Sequence, residues 1–309
     1  MTITMEDRYM GCLIGLAVGD AVGTTVEFKA PGTFPPVTDM TGGGPFNLPP
    51  GAWTDDTSMA LCLAESLLIC GASNAQDQME RYLRWWKEGY LGSTGECFDI
   101  GNTVVSALHK FSQKGDPIAG STDARAAGNG SLMRLAPVPL FFASDPIRAI
   151  EISAESSKTT HGAKACLDAC RYFSGLILGA LQDVNKRELL ADRFSPVAGY
   201  LKERPLCREI DEVACGSFMT KEPPDIVGSG YVVKSLEAAL WAFHRSSDFR
   251  EGCLMAVNLG NDADTTAAIF GQIAGAYYGI KGIPCSWVDR IFQLEQLIDL
   301  ANNLLNSKL

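Results

Sequence analysis

The residues with most chemical reach are acids set beside hydroxyls. Thr54-Asp55-Asp56-Thr57 and Asn261-Asp262-Ala263-Asp264-Thr265-Thr266 each stand at the head of a long apolar run. Carboxylate and hydroxyl oxygens are hard ligands, and adjacent carboxylates repel unless a cation lies between them. If the two heads met, Asp55, Asp56, Asp262 and Asp264 would form an all-oxygen site suited to Mg²⁺ or Mn²⁺. Four carboxylates in one place can hold two ions roughly 3.5–4 Å apart. The competing use is capping, since Asp and Thr satisfy free N–H groups at a helix start and acids complement its dipole. Either cluster alone fits a cap. Two clusters, each pairing several acids with Thr, favour the cation site.

Two further elements belong with these acids. Glu27 lies seven residues after Asp20, so on a continuing helix both share a face. It reads either as a surface residue at a helix end or as a ligand to metal or water on a mobile segment. Gly128-Asn129-Gly130-Ser131 precedes Leu132-Met133-Arg134, and glycines let backbone amides wrap a phosphate. Turns use the same residues, and the stretch matches neither a P-loop nor G-x-G-x-x-G. No G-x-S-x-G elbow occurs, which disfavours an α/β-hydrolase.

Stepping out to the elements, the apolar segments 57–69, 164–182, 231–244, 265–280 and 287–305 exceed strand length. They are rich in Leu and Ala and free of Pro. Two-residue alternation is nearly absent, so the chain predicts an all-α fold with several helices buried on more than one face. Glycines recur four apart at Gly11, Gly15, Gly19 and Gly23, at Gly271, Gly275 and Gly279, and at Gly175 and Gly179. Each costs a helix about 1 kcal/mol relative to Ala, so such stripes predict close helix–helix contacts. The Gly/Pro-rich stretch 29–53 is too long for a passive connector. A second irregular stretch covers 115–140. No linker divides the chain, which predicts one domain over 1–309.

Composition narrows the class. Lys and Arg number 26 against 36 Asp and Glu, a net charge of −10, with 46% hydrophobic residues. This is a soluble globular profile that argues against nucleic-acid binding and against adhesion to anionic membranes, both of which need clustered cations. Ten Cys are irregularly spaced, Cys166 and Cys170 being nearest, and read as reduced, mostly buried thiols of a cytoplasmic protein. Zinc is disfavoured, because only His109, His161 and His244 are present and no Cys/His cluster exists. The run Gly11–Val22 follows acidic Glu6 and Asp7 and contains Asp20, so it reads as a core helix rather than a signal peptide or membrane span.

Together the segments GCLIGLAVGDAVGTTVEF, WTDDTSMALCLAESLL, GECFDIGNTV, GNGSLMRLAPV, TTHGAKA, SGYVVKSLEAAL and GNDADTTAAIFGQIAGAYYG resemble the ADP-ribosylglycohydrolase family, which includes dinitrogenase reductase-activating glycohydrolase. The ordered pair WTDDT and GNDADTT is the most specific part, and the resemblance spans nearly the whole chain.

The resemblance implies a compact orthogonal multi-helix fold with a central cleft for two Mg²⁺ or Mn²⁺ ions. By matching positions, Thr54, Asp55, Asp56, Asp262, Asp264 and Thr265 are the implied metal ligands. Glu27, Asp55, Asp56 and Asp99 are the implied candidates for acid–base work. Gly128, Asn129, Gly130 and Ser131 would bind the diphosphate of ADP-ribose, with His161 lining the pocket and Tyr231 touching the ligand. For His161 and Tyr231 plain packing is the alternative. The implied reaction is hydrolysis at the anomeric carbon of an ADP-ribosylated protein, arginine-linked by preference, releasing ADP-ribose through a transition state of oxocarbenium character. Other ADP-ribosyl substrates, a role in toxin immunity, a non-catalytic binder or structural relative, and a metal-dependent nucleotide-diphosphate phosphohydrolase remain alternatives.

Overall fold

The computed structural model describes residues 2–307. Residues 1, 308 and 309 of the expected single unit lie outside the described residues. The longer helices are α1 (Met5–Gly23), α2 (Asp55–Cys70), α3 (Ala75–Glu88), α4 (Asn102–Lys114), α5 (Pro146–Ser157), α6 (Lys164–Leu181), α7 (Val232–Arg245), α8 (Phe249–Val257), α9 (Ala263–Tyr278) and α10 (Leu294–Asn306). Among the described residues there is no strand, and isolated bridges join only Gly43 to Leu48, Ser121 to His161 and Gly128 to Tyr231. The all-α expectation holds.

The centre of the molecule is the antiparallel pair α1 and α9. A Cβ on Gly11, Gly15, Gly19 or Gly23 would come within 3.0 Å of α9 backbone or the residues just after it. The reverse holds for Gly271 and Gly275 against Gly15 and Gly11. The α1 glycines, Gly271 and Gly275 therefore serve backbone-to-backbone approach, as their spacing predicts, whereas Gly279 follows the end of α9 at a φ of 68° and faces the Ile3 and Asp7 side chains. The price in helix propensity is met by burial: α1 is buried from Gly11 to Gly23 and α9 from Ala263 to Ala276. The α1 segment is apolar and long enough to cross a membrane, but 89% of its most apolar window is buried inside the protein.

Arg8 ties the far end of this pair. Its buried guanidinium donates to the carbonyls of Ala180, Ala276 and Tyr277 and pairs with Asp183, so one cation serves the C-terminal ends of α6 and α9. Around the pair lie α6, α7, α8 and α10, with α5 packed on α6. A smaller core of Met59, Cys62, Met79, Tyr82, Trp85, Val104, Leu108 and Phe111 joins α2, α3 and α4.

Three details depart from the sequence reading. The segment 287–305 is not one helix: a short turn of helix ends at Val288 and α10 starts at Leu294. The break is imposed from outside, because the Phe292 amide donates to the Gly51 carbonyl and Gln293 takes a left-handed φ of 50°. Gly175 and Gly179 do not meet another helix backbone; they make room for the Pro196 and Phe194 side chains. The α1 helix stops at Gly23, and a single 3₁₀ turn, Thr24–Val26, carries the chain to Glu27.

The glycine seam gives a direct test. Gly15→Ala or Gly271→Ala should lower unfolding free energy in urea by about 2 kcal/mol or more, because the collision is with backbone. Gly175→Ala, facing one side-chain carbon at 3.3 Å, should stay within about 1 kcal/mol of the parent. Equal effects at both places would contradict the seam.

Candidate metal and ligand site

The site begins with Asp20, a charge in the middle of an apolar helix. It is fully buried and accepts four kinds of donor: Thr54 N at 2.9 Å, Thr54 Oγ1 at 3.0 Å, Thr57 N at 3.1 Å and Thr57 Oγ1 at 2.6 Å. Asp20 thus caps α2 from another helix. Thr54, at the N-cap position, makes no side-chain cap bond of its own, and neither does Asp262 at the start of α9. The capping alternative fails for these clusters, and their carboxylates are left free for other partners.

The two clusters meet. Thr265 Oγ1 donates to Asp56 Oδ2 at 3.4 Å across 209 positions of sequence, and Thr54 Oγ1 reaches the same oxygen at 3.2 Å. Oxygens of Asp20, Asp56 and Asp264 lie within 4.8 Å of one another, and so do those of Glu27, Asp99 and Asp264. Asp264 belongs to both groups, which is the arrangement a pair of neighbouring cations requires. Glu27 Oε2, Asp56 Oδ1 and Asp264 Oδ1 are buried without a hydrogen-bond partner among the described residues. Buried carboxylate oxygens left unpaired are costly, so an all-oxygen donor set of this kind fits hard divalent cations.

Burial and mutual repulsion favour protonation of these acids relative to acids in water. Burial, then the facing Asp99, pushes Glu27 up to about 9. Burial also takes Asp99 to about 7 and Asp20 to about 6. Asp55, Asp56 and Asp264 are raised well above the ordinary carboxylate range by burial and by their acidic neighbours, and Asp262 is raised by burial. Glu27 is only 3% exposed, which removes the reading of a surface residue at a helix end.

Backbone geometry locks Glu27 in place. Phe28 and Asn261 both adopt left-handed φ, 62° and 54°, and bond each other's segments: Phe28 N to Asn261 O and Asn261 N to Lys29 O, each 2.7 Å. Asp99 is also left-handed, at 59°. Three non-glycine residues in this region around one acidic cluster mark a site whose surroundings over-determine it.

A cavity of about 460 Å³ opens over the cluster. Glu27, Asp55, Asp99, Asp262, Asp264 and Thr265 form one side, and Gly128, Asn129, Gly130 and His161 another. Asn129 joins the two, its Nδ2 donating to Asp262 Oδ2 at 2.6 Å and to Ser235 Oγ at 2.9 Å. The Gly130 and Ser131 amides have no acceptor among the described residues, so both remain able to receive an anion. The first turn of α4, Gly101 to Val104, also lines the cavity, and its N-cap lacks a side-chain bond. That helix end adds positive dipole where the protein's net charge would repel a phosphate.

His161 is neutral and oriented. Burial, aided by Arg134, drives its pKa down to about 3. Thr160 Oγ1 accepts from Arg134 at 2.8 Å and lies 2.8 Å from His161 Nδ1. We assign the Thr160 proton to Nδ1, which leaves Nε2–H as the donor beside Gly128 and Gly130. Arg134 also donates to the Gly130 carbonyl at 2.8 Å and stacks on Tyr82. It therefore shapes both the loop and the imidazole.

Most residues singled out in the sequence converge here, and four, Thr54, Asp56, Ser131 and Tyr231, do not line the cavity. Thr54 and Asp56 lie beneath it, buried and bonded to Asp20 and to Thr265 respectively. The Ser131 hydroxyl turns into the core, where it accepts from Ser157 at 2.8 Å. Tyr231 pairs through its backbone with Gly128, but its side chain is 40% exposed and lies outside the cavity lining. Asp20, Thr57 and Arg134 were not read as site residues. A lone Asp within GCLIGLAVGDAV was the available signal for the first, and an Arg in the last position of GNGSLMR for the third.

The shell around this cavity is all-helical, and the acids that line it could bind metal ions. The family model for ADP-ribosylglycohydrolase matches residues 1–308, and the chain belongs to this family of enzymes that hydrolyse ADP-ribosyl bonds on modified proteins. It is 43% identical over 298 residues to the ADP-ribosylarginine hydrolase Tri1 of Serratia proteamaculans, covering 96% of this chain and 79% of that one. It is 30% identical over 292 residues to the ADP-ribosyl-dinitrogen reductase glycohydrolase of Rhodospirillum rubrum, covering 93% and 91%. A solved ADP-ribosylglycohydrolase-related protein complex superposes with a TM-score of 0.87 at 43% identity over 99% of both chains.

Raised carboxylates carry a definite sign. Each stabilises the fold below its unfolded value near about 4 and loses that contribution as pH rises through its folded value, about 6, 7 and 9 for Asp20, Asp99 and Glu27. Chelated protein should therefore lose thermal stability steadily from pH 5 to pH 9. Mn²⁺ or Mg²⁺ at a hundredfold excess over Kd should restore about 5 °C in melting temperature, more at the alkaline end. Asp264→Asn should abolish the cation response while leaving the chelated protein at least as stable. A cation response that persists in that variant would remove Asp264 from the site.

Proposed function

We propose that this enzyme releases ADP-ribose from ADP-ribosylated arginine side chains, using two Mg²⁺ or Mn²⁺ ions. The observation that carries the reading is the sharing of Asp264 between two carboxylate groups at the floor of a cavity walled by unpaired amides. The arginine linkage is supported by the naming of the relatives from Serratia proteamaculans and Pseudomonas putida as ADP-ribosylarginine hydrolases.

Thr54, Asp55, Asp56, Asp262, Asp264 and Thr265 are the proposed ligands, with Asp20 anchoring α2 beneath them. Divalent cations held there would supply Lewis acidity, neutralise the acids and fix the ribose hydroxyls. In the Gly128–Ser131 loop the free Gly130 and Ser131 amides, with His161 Nε2–H, hold the diphosphate, while the Gly128 and Asn129 amides are bonded to Ala126 and Gly230 and shape the loop; Tyr231 approaches from the rim. So anchored, the anomeric carbon faces Glu27, Asp55 and Asp99, with Asp56 acting from beneath them. Glu27 and Asp99 face each other with different proton affinities, as an acid–base pair requires. One member gives a proton to the departing nitrogen while the other takes one from attacking water, and the ionised carboxylates stabilise positive charge on the sugar.

The chain is further proposed to act as one unit in the cytoplasm, on a protein substrate rather than on membrane or nucleic acid. Its ten free thiols support a reducing compartment. Its charge of −10 is unsuited to anionic surfaces.

The test is product release. With Mn²⁺ or Mg²⁺, ADP-ribosylated arginine protein should yield free ADP-ribose; AMP as product would point instead to a phosphohydrolase, and binding without turnover to a non-catalytic relative. Glu27→Gln or Asp99→Asn should lower kcat by about 10²–10⁴ with the melting temperature held or raised. Full activity in both variants would refute the acid–base assignment.

A further inference from the structure

The cavity has a third kind of surface that neither the acids nor the phosphate wall accounts for. Phe28 lines it, directly after Glu27, yet is 66% exposed. A large aromatic side chain left in water and held at a left-handed φ of 62° is unfavourable on both counts. The backbone bond from its amide to Asn261 keeps it there.

Phe28 does not stand alone. Phe46 meets it edge-on with ring centroids 6.4 Å apart, and Phe98, the neighbour of Asp99, lies 5.1 Å beyond Phe46. Three separate stretches of chain thus contribute one aromatic lip beside the Glu27–Asp99 pair. Of the three rings only Phe28 lines the cavity, so Phe46 and Phe98 stand behind it.

We propose that Phe28, backed by Phe46 and Phe98, is the specificity platform for the leaving side chain and receives a guanidinium by cation–π contact. The assignment rests on the arginine reading above. An ADP-ribosyl group held at Gly128–Gly130 presents its anomeric bond to the acids, and whatever is attached beyond that bond departs past the lip. A guanidinium is planar, permanently charged once released and weakly hydrated, so it stacks on an aromatic face readily. A serine hydroxyl has no charge to place there. Phe28 makes and breaks no bond; it binds the leaving guanidine and orients the glycosidic bond between the anomeric carbon and the guanidine nitrogen over the acid pair.

Inhibition by product fragments separates this role from a structural one. Agmatine, a free alkylguanidine, should inhibit hydrolysis of ADP-ribosylarginine by the metal-loaded enzyme, and its inhibition constant should rise about 3- to 30-fold in Phe28→Leu. In Phe28→Tyr, which keeps the ring, it should stay within about twofold of the parent. The inhibition constant of free ADP-ribose should be unchanged in both. Butylurea, which lacks both the guanidinium and the amine of agmatine and is uncharged, should show no dependence on residue 28. An unchanged agmatine constant in Phe28→Leu, or a parallel loss of ADP-ribose affinity, would overturn the platform and leave the arginine activity standing. A parent enzyme that fails to cleave ADP-ribosylarginine while cleaving another linkage would overturn the arginine reading, and the platform with it.

Discussion

The structure depends on two helices whose backbones touch. Wherever side chains separate helices, axes stand 8–10 Å apart, and acids on different helices then reach one another only through long side chains. The glycines of α1 and α9 remove that spacer. Their seam ends at Gly23, which lies against the Cα of Asp264. One turn before it, Asp20 leaves α1 toward the start of α2. The geometry of the acidic cluster is therefore set in the backbone, and short Asp side chains suffice where Glu would otherwise be needed.

A division of labour among the carboxylates follows. Helix starts attract acids as caps, and a capping acid spends its oxygens on amides. Asp20 takes over that duty for α2 through Thr54 and Thr57, and it does so from a different helix. Asp55 and Asp56 are thereby relieved of it. On α9, Asp262 is occupied by Asn129 instead, which ties the acids to the phosphate wall. Each acid that is fully satisfied by protein lets a neighbour remain unsatisfied, and the unsatisfied ones, Glu27, Asp56 and Asp264, are those able to bind something else.

How much of this was legible in the sequence varies with the physics of each feature. Helix class and the burial of α1 and α9 follow from composition and length, and the glycine spacing reports the seam directly. That Asp55 and Asp264 lie together does not follow from any local pattern, because it depends on two segments meeting across the whole chain; there only the family resemblance bridged the gap. The break before α10 was hidden because its cause, the Gly51 carbonyl, lies in a distant loop. Ser131 was misplaced for a similar reason. A glycine-rich loop presents amides, and the side chain within it is free to point inward, as it does toward Ser157. Asp20 was visible as an anomaly, but an isolated buried acid does not name its partners.

On the proposed reading, the charge layout gives a reason for cation and ligand to bind as a unit. The cavity places at least five carboxyl groups within reach of a site for a diphosphate, in a protein already carrying −10. Amides of Gly130 and Ser131, the α4 N-terminus and a neutral His161 provide partial positive charge only. With the acids ionised and uncompensated, an approaching anion would meet net repulsion; with them protonated, it would meet a neutral floor that offers no cation to the ribose. Divalent ions resolve the conflict by removing the repulsion without removing the carboxylates. Because coupling between two ligands is reciprocal, whatever the cations contribute to ADP-ribose affinity, bound ADP-ribose must return as cation affinity. The acidic floor is then no obstacle to binding an anion. On the proposed function, it would make that binding conditional on the metal.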